Sequence, residues 1–217
     1  MSRACGIYHY GIKWPAPEGT NCVAAEDEAN EQSRRLAARG PTGGVVSGQE
    51  GLELFEQVKR AMRLTAELNA MVTDDFDEVR LAFSRLIGKS VDETFRLIPP
   101  FYTNCGLNIC VGKDVFVNYE CSFIDIGGIT IGDDVMIGPR VNLVTAGHLT
   151  DPSQRRHGVT HSPITIEKNA WIGTAATILA GVTVGENSIV AAGAVVTKDV
   201  PANCLVAGVP TRVVKTL

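Results

Sequence analysis

Aliphatic side chains recur at every sixth position over much of the second half of the chain, and this period restricts the fold more than any other feature. A six-residue period with one inward aliphatic side chain per repeat builds a parallel β-solenoid, in which each repeat buries that side chain on the next. Because three hexapeptides complete one triangular coil, these repeats predict about four coils. The repeating positions are Val111, Val117, Phe123, Ile131, Ile137, Leu143, Ile166, Ile172, Ile178, Val184, Val190 and Val196.

Glycine directly follows the repeating aliphatic residue in several hexapeptides. Glycine adopts backbone conformations that other residues avoid, so we expect it at the corners, where the chain turns from one face of the solenoid to the next. The glycines in this position are Gly112, Gly132, Gly138, Gly173 and Gly185.

The period is interrupted twice. Two extra residues follow Phe123, and a longer insertion separates Leu143 from Ile166. A solenoid accommodates an insertion as a loop that projects from a corner, and such loops commonly carry binding or catalytic residues. Residues 147–163 are therefore predicted to form a projecting loop. Three of the four histidines lie in or beside it, at His148, His157 and His161.

Two amphipathic helices are predicted before the solenoid. Apolar residues between Leu52 and Met71 recur at close to helical spacing. Asp74 can cap a second helix at its N-terminus, and Gly88 ends that helix. The predicted inner faces consist of Leu54, Phe55, Val58, Met62 and Leu68 in the first helix, and of Phe76, Val79, Phe83, Leu86 and Ile87 in the second.

The chain therefore divides into a helical segment at 52–90, a solenoid at 91–200 and a C-terminal tail at 201–217. Its 217 residues fit one sizeable domain with a small attachment. Residues 1–51 form an extension to which the pattern assigns no role. Within it we predict a polar helix at Ala24–Arg39 and a flexible linker at Gly40–Gly51, which is rich in glycine.

The composition excludes several classes of protein. No apolar run approaches the roughly 18 to 20 residues that span a bilayer, and the N-terminus lacks the basic and apolar stretches of a secretory signal. The 20 Lys and Arg residues, against 24 Asp and Glu residues, form no concentrated basic patch, whereas phosphate recognition needs one. We therefore expect a cytoplasmic protein that binds neither membranes nor nucleic acid.

None of the six cysteines forms a Cys-x-x-Cys pair, and the chain has the features of an intracellular protein. Neither a zinc clip nor a disulfide framework is therefore indicated. We predict small buried or inert thiols. The cysteines are Cys5, Cys22, Cys105, Cys110, Cys121 and Cys204.

Three further stretches carry a family resemblance: AGHLTDPSQRRHG, AWIGTAATILAGVTVGENSIVAAGAVVTKDVP and AGVPTRVV. Together with the hexapeptide period, they resemble the hexapeptide acyltransferases, and in particular the maltose/galactoside O-acetyltransferase group, over about residues 50–217. The resemblance implies an all-β, left-handed parallel β-helix that assembles as a homotrimer. It also implies that acetyl-CoA binds in a cleft between neighbouring subunits, and that no metal or redox cofactor takes part.

Acetyl transfer to a hydroxyl group needs a base that removes the proton as the oxygen attacks the thioester, and histidine suits this role near neutral pH. By the resemblance, His148 corresponds to the catalytic histidine of the family, whereas His157 and His161 match no family residue. Asn118, in VFVNYE, resembles the asparagine that contacts the acceptor and stabilises the transition state. An uncharged hydrogen-bond donor is suited to that task.

The resemblance also implies an acceptor pocket, but with departures from the family. Asp125, in FIDIGG, lies near the acceptor-binding carboxylate of the family, and Asn104, in FYTNCG, replaces the usual Ser or Asp. The family's N-terminal G-x-L/I-Y-D stretch has no clear counterpart, and Leu149 follows His148 where proline is common. A sugar, an antibiotic hydroxyl, an amino sugar and a natural product therefore all remain open as acceptors.

For acetyl-CoA, the resemblance implies contacts from the late coils and the tail. Trp171 would pack near the pantetheine or adenine end of the cofactor. Arg212 and Lys215 would meet its phosphates, which favour Arg and Lys. An ordinary solvated charge is the alternative interpretation of these two residues and of Lys198. Further contacts are implied for Thr174, the backbone of Ala192, Thr197 and Lys198.

Two alternative functions remain open. A γ-type carbonic anhydrase shares the solenoid and holds zinc through three histidines, so stoichiometric zinc would favour that function. The other alternative is a solenoid that serves as a non-catalytic scaffold or binding protein. Failure to bind acetyl-CoA would favour the scaffold.

Overall fold

The computed structural model describes residues 44–46 and 48–217, with side chains from residue 52 onward. Its first strand, β1, spans Gly44–Val46, and a helix of 22 residues, α1, follows at Gly48–Asn69. The helix therefore begins inside the segment that was predicted to be a flexible linker. The predicted helix at Ala24–Arg39 lies outside the described residues.

The second helix, α2, spans Phe76–Ile87 and ends at Gly88, which adopts a left-handed φ of 68°. The end at Gly88 agrees with the prediction, but the N-cap is Asp75 rather than Asp74. Asp75 accepts a hydrogen bond from the backbone N–H of Asp77 and so satisfies a donor that the first turn leaves unpaired. Neither helix in the described part of the chain has the length and apolar composition needed to cross a bilayer.

The buried face of α1 differs from the predicted one. Phe55 and Met62, which were assigned to the inner face, are 58% and 66% exposed. Leu68 is fully buried, as predicted, and the other buried positions of the helix are Ala61 and Thr65. Their spacing is helical, but Ala61 is small and Thr65 is polar, so large apolar residues alone do not mark the buried face of this helix.

Beyond the helices the chain winds into a three-sided parallel β-solenoid, which confirms the predicted fold class. Face 1 contains β2 (Arg96–Leu97), β5 (Phe116–Val117), β8 (Met136–Ile137), β13 (Trp171–Ile172), β16 (Ile189–Val190) and β18 (Cys204–Gly208). Face 2 contains β3 (Phe101–Thr103), β6 (Cys121–Ile124), β9 (Asn142–Val144), β14 (Thr177–Leu179) and β17 (Val195–Val196). Face 3 contains β4 (Ile109–Val111), β7 (Ile129–Ile131), β12 (Ile164–Ile166) and β15 (Thr183–Val184).

The solenoid is longer than the four coils counted from the sequence. Face 1 holds six parallel strands, because β2 and β18 extend the stack at either end of the regular period. A last strand, β19 (Thr211–Thr216), pairs antiparallel with β18 and ends this face. We name the edges of the prism by the faces that they join in chain order: edge 1–2, edge 2–3 and edge 3–1.

The repeating aliphatic residues form the interior of the solenoid, as predicted. All of them are buried except Val111, which is half-buried against the same core. Aromatic rings continue this interior into the helices: Phe123 meets Phe101 edge to face at 5.0 Å, and Phe101 meets Phe83 of α2 at 5.3 Å. The two helices therefore share one core with the first coils.

The five glycines that follow the aliphatic positions lie where coils approach each other, and none of them has a positive φ. A Cβ atom on Gly173 would lie 2.7 Å from the amide nitrogen of Ala192 and 2.7 Å from the carbonyl oxygen of Val190. Real Cβ atoms do not approach so closely. The predicted reason for these glycines was therefore wrong: they are required by close stacking of the backbone and not by an unusual conformation.

The left-handed conformation at the corners is instead adopted mostly by other residue types. Asn169, Asn187 and Asn203 have φ values of 56°, 58° and 57° and stack along edge 3–1. The side-chain amide of Asn169 donates to the side-chain oxygen of Asn187 at 2.8 Å, and Asn187 donates in turn to Asn203 at 2.9 Å. Asparagine tolerates this conformation better than most residues, and the ladder of amides ties successive coils together.

The helices are attached to the solenoid by a small number of polar side chains. Asn69 both donates to the carbonyl of Phe101 and accepts from its N–H, at 2.9 and 2.8 Å. Lys89 donates to the carbonyl oxygens of Leu107 and Ile109 at 2.8 and 2.9 Å. We call α1 and α2 together the helical cap, because they cover the first coil.

Candidate active site at the edges of the solenoid

The long insertion forms an antiparallel hairpin that projects from edge 2–3. Its strands are β10 (Ala146–His148) and β11 (Val159–His161). Gly147 pairs with Thr160, and His148 pairs with Val159. The predicted loop is thus partly ordered as a hairpin, and His148 lies at the outer end of β10.

The side chain of His148 is exposed, but it lies on the side of the hairpin whose other residues are buried or half-buried. Side chains alternate along a strand, so Ala146 and His148 share one side, together with their partners His161 and Val159. His161 is buried, and Ala146 and Val159 are half-buried, whereas Gly147 and Thr160 on the opposite side are exposed. The side that carries His148 is therefore the one turned toward the rest of the protein.

Asn118 lies at a different edge. It follows β5 directly, at edge 1–2, and is half-buried. Its side-chain oxygen accepts a hydrogen bond from the N–H of Tyr119 at 2.9 Å, which leaves the side-chain amide as the group that can donate to a ligand. A single copy of the chain therefore places Asn118 and His148 at separate edges of the prism.

Asp125 does not have the role that was predicted for it. It is completely buried at edge 2–3. Its two carboxylate oxygens accept four hydrogen bonds from the preceding coil, at 2.7–3.1 Å. Burial raises the pKa of Asp125, and these hydrogen bonds oppose that rise. With no accessible surface, the carboxylate holds the turn and cannot contact an acceptor. The donors are the hydroxyl of Thr103 and the backbone N–H groups of Cys105, Gly106 and Asn108.

Asn104 belongs to the same turn. Its side-chain oxygen accepts a hydrogen bond from the N–H of Asp125 at 3.0 Å, and the residue is half-buried. Since the oxygen is used by the turn, only the amide group of Asn104 is available to an acceptor. The oxygen of Asn104 thus stabilises the turn, and the predicted contact of Asn104 with an acceptor stays a prediction.

The candidate acetyl-CoA residues fall into three places. Trp171 points outward from face 1 and is 49% exposed. Thr174 and Ala192 stack at edge 1–2, and Thr197 and Lys198 lie at edge 2–3. All of these side chains are exposed, as are Arg212 and Lys215 on β19. One copy of the chain thus divides the candidates among face 1, edge 1–2 and edge 2–3.

An outward apolar row on face 1 was missed in the sequence. Met136 and Trp171 are 48% and 49% exposed although they lie in the middle of a sheet. The signal was present, because these residues directly precede the inward aliphatic in every third hexapeptide, and the corresponding positions of face 3 hold Cys or Thr. The row, which we call the apolar row, consists of Phe116, Met136, Trp171, Ile189 and Leu205, which are in register on adjacent strands.

Three of the four cysteines in the described range are buried: Cys105, Cys121 and Cys204. Burial raises the pKa of Cys105 to about 12 and that of Cys121 to about 11. Cys110 is exposed on face 3, and Cys5 and Cys22 lie outside the described residues. Among the residues from 52 onward, His, Cys, Asp and Glu form no group of three that could hold a metal ion.

Comparison with known proteins identifies relatives of this chain. Residues 163–198 match a family described as the hexapeptide repeat of succinyl-transferase. A galactoside O-acetyltransferase from Escherichia coli is 42% identical over 127 residues, which cover 58% of this chain and 63% of that protein. The chain therefore spans less than two thirds of the length of this curated relative.

Two solved structures resemble the chain over a greater share of its length. A maltose O-acetyltransferase from Clostridium difficile has a TM-score of 0.77 and 33% identity, and the match covers 85% of this chain and 96% of that one. A hexapeptide-repeat acetyltransferase from Vibrio cholerae, solved with acetyl-CoA, has a TM-score of 0.67 and 34% identity. That match covers 76% of this chain and 89% of the other.

Proposed function

This chain belongs to the hexapeptide-repeat acetyltransferases, and on that premise we propose that it moves the acetyl group of acetyl-CoA directly to a hydroxyl group of a small-molecule acceptor. The observation that carries the proposal is His148, an exposed histidine on the inward side of a hairpin that projects from a rigid solenoid. The names of the relatives support the reaction class, and the complex of the Vibrio cholerae relative supports the donor.

In the proposed mechanism His148 is the general base. Its imidazole accepts the proton of the acceptor hydroxyl while the hydroxyl oxygen forms the new bond to the acetyl carbon. The imidazolium then returns this proton to the departing sulfur, so no acetyl group is attached to the protein. Acetyl-CoA supplies the activated thioester. The side-chain amide of Asn118 donates a hydrogen bond to the oxygen that becomes negatively charged.

The residues present suit a molecule with the character of CoA. Lys198, Arg212 and Lys215 are exposed cations near the end of the solenoid, and cations of this kind bind phosphate through charge-assisted hydrogen bonds. Thr174 and Ala192 are small and exposed at edge 1–2, so a ligand can approach the backbone there. A sugar, an antibiotic hydroxyl, an amino sugar and a natural product all remain open as the acceptor.

We further propose that the active site is completed between copies in a homotrimer. His148 and Asn118 lie at different edges of one prism, so they can serve one reaction only if edge 2–3 of one copy meets edge 1–2 of a neighbour. The apolar row supports association of copies, since two adjacent members, Met136 and Trp171, are about half exposed and exposed apolar surface of this kind marks interaction sites. A closed ring of such contacts requires rotational symmetry, which three copies satisfy.

The trimer is tested by the mass of the protein in solution and by two matched variants. We expect Met136→Glu, which puts a charge in the apolar row, to dissociate the assembly in sedimentation velocity. Thr130→Glu adds the same charge on face 3, where the strand is exposed, and should leave the mass unchanged. A wild-type protein that is monomeric at micromolar concentration would contradict the proposal.

The function is tested by calorimetric titration with acetyl-CoA, followed by assays of thiol release with maltose and with a galactoside. We expect saturable binding near one site per chain. His148→Ala should bind acetyl-CoA but lose about 10²- to 10⁴-fold in kcat. His157→Ala is the control, because His157 is an exposed histidine of the same loop. A His148→Ala variant with wild-type turnover would show that the base is assigned wrongly.

Absence of acetyl-CoA binding at millimolar concentration would favour the scaffold alternative. Stoichiometric zinc in the purified protein would favour the carbonic anhydrase alternative. A cytoplasmic location stays a prediction from the sequence.

A further inference from the structure

The histidine hairpin has a third strand, contributed by a distant part of the sequence. β1 pairs antiparallel with the outer edge of β11, so β11 lies between β10 and β1. Gly44 is opposite His161, and Val46 is opposite Val159. Nothing in the hexapeptide period or in the motifs of the catalytic half of the chain predicts this strand.

The hydrogen-bonding direction of β11 follows from its ladder with β10. The N–H of Ser162 donates to the carbonyl of Thr145 at 2.9 Å. In an antiparallel pair, hydrogen-bonded and non-hydrogen-bonded positions alternate, so the next bonded pair is Thr160 with Gly147. The backbone groups of Val159 and His161 therefore point away from β10 and toward β1.

The partners of these backbone groups are Gly44 and Val46. By the same alternation, the backbone N–H and C=O of Val45 point away from β11. Without β1, the N–H and C=O groups of Val159 and His161 would face solvent, and the hairpin would have only two strands. An isolated two-stranded hairpin is marginally stable in water, and this one projects from the solenoid.

We propose that β1 is a positioning element for His148. Its last residue, Val46, fixes the end of the hairpin that carries His148. Val46, Val159 and His148 lie in one row across the three strands. This inference rests on the proposed role of His148. Displacement of a catalytic group by about 1 Å can lower the rate by roughly 100-fold, so a strand that limits the motion of this row acts on turnover.

His148 lies where the hairpin needs support from another strand. His148 is the last residue of β10, and the residues that follow it, 150–157, are all exposed. Among the described residues, the only strand paired with the outer edge of β11 is β1. Val46 therefore supports the outer end of the hairpin. Gly44 supports the end next to the solenoid, beside the buried His161.

The test compares Val46→Pro with Val45→Pro in the full-length protein. Proline has no backbone N–H and cannot donate to a ladder. Val46→Pro removes a hydrogen bond to Val159, whereas Val45→Pro removes an N–H that points away from β11. We expect Val46→Pro to lower kcat by about 10- to 100-fold with the Kd for acetyl-CoA unchanged. Val45→Pro and the conservative Val46→Ala should keep most of the activity.

Hydrogen exchange gives a second readout that does not depend on activity. The amides of Val159 and His161 should be protected in the wild type and in Val45→Pro, and should exchange faster in Val46→Pro. Equal exchange in the two proline variants, or equal kcat, would overturn the proposal. If exchange responds as expected but the wild type transfers acetyl to no acceptor, the strand pairing stands, and both the proposed function and the positioning role fail.

Discussion

The solenoid and the helical cap share one hydrophobic core but are held together in different ways. In the solenoid similar contacts recur from coil to coil: inward aliphatic residues throughout, glycines against the next backbone in several coils, and asparagines at edge 3–1 in the later coils. In the cap each contact occurs once, such as the paired hydrogen bonds between Asn69 and Phe101. Repetition makes the packing of the solenoid predictable from the sequence, whereas the sequence predicts the two helices of the cap but not the single contacts that attach them.

The difference also concerns how each region should respond to a mutation. The stability of a repeat protein is approximately a sum over units and the interfaces between neighbours. A mutation at one coil interface should therefore also destabilise the adjacent coils. The cap touches only the first coils, so its loosening should leave the later coils intact.

Asp125→Ala should cause the largest loss of stability. It also challenges the contrast between a solenoid of repeated contacts and a cap of single contacts most strongly, because Asp125 makes a contact that occurs once inside the solenoid. The variant leaves three buried backbone N–H groups without a partner, and each such loss costs about 1 to 3 kcal/mol. We expect the free energy of unfolding in urea to fall by about 4 kcal/mol. Asp133→Ala is the control, since Asp133 is exposed and accepts one backbone hydrogen bond, from Lys113. Equal losses in the two variants would contradict the structural role of Asp125.

Gly173→Ala tests the repeating contact between coils. Its added methyl group would meet the backbone of Ala192 and Val190 at distances that force the coils apart, and overpacking of this kind costs up to about 3 kcal/mol. Gly193→Ala is the matched control. Gly193 has a φ of 69° but no heavy atom within 4 Å of an added Cβ, so only backbone strain of about 1 kcal/mol is expected. A larger loss in Gly193→Ala, measured by urea unfolding, would show that conformation matters more than stacking.

Asn69→Ala tests the attachment of the cap. It removes two hydrogen bonds to the backbone of Phe101, which we expect to lower the free energy of unfolding by about 2 kcal/mol. Amides of α1 should exchange faster with solvent, while amides of β13 to β17 keep their protection. Asn142→Ala, on the outer side of face 2, removes only two long hydrogen bonds of 3.3 and 3.4 Å and should change little. Uniform loss of protection along the chain would refute independent loosening of the cap.

Thr65→Val is the smallest change and should stabilise the protein. Thr65 is buried on the inner face of α1, and its hydroxyl oxygen has no hydrogen-bond partner among the described residues. Replacing an unpaired hydroxyl by a methyl group removes a desolvation penalty, so we expect the free energy of unfolding to rise by about 0.5 to 1 kcal/mol. Thr165→Val on face 3 serves as the control and should have an effect near zero. A destabilised Thr65→Val variant would mean that the hydroxyl has a partner.

The sequence predicted the solenoid because one physical requirement, an inward aliphatic side chain, repeats at a fixed period. It predicted the projecting loop because an interruption of that period has only one way to be accommodated. The loop's internal structure was not accessible, since Gly44–Val46 pair with it from more than one hundred residues away in the chain. Pairing between segments so far apart leaves no local pattern.

The errors at single residues have a common cause. Asp125 is a polar residue at a corner, and the sequence alone does not tell whether such a group faces a ligand or the protein's own backbone. Burial decides that question, and it assigns Asp125 to the fold. The same limit applies to Phe55 and Met62, which are apolar but face outward, and to Asp75, which takes the capping role from its neighbour Asp74.

The antiparallel strand β19 has a consequence for solubility. A stack of parallel strands has no intrinsic length, because its last strand offers unpaired N–H and C=O groups that a further strand from another molecule can join. β19 occupies that edge of face 1 and carries the charges of Arg212 and Lys215, which oppose end-to-end growth of the kind seen in fibres. These two cations, assigned above to phosphate, would thus also limit polymerisation, and a chain that ended before Thr211 would present a bare template to its neighbours.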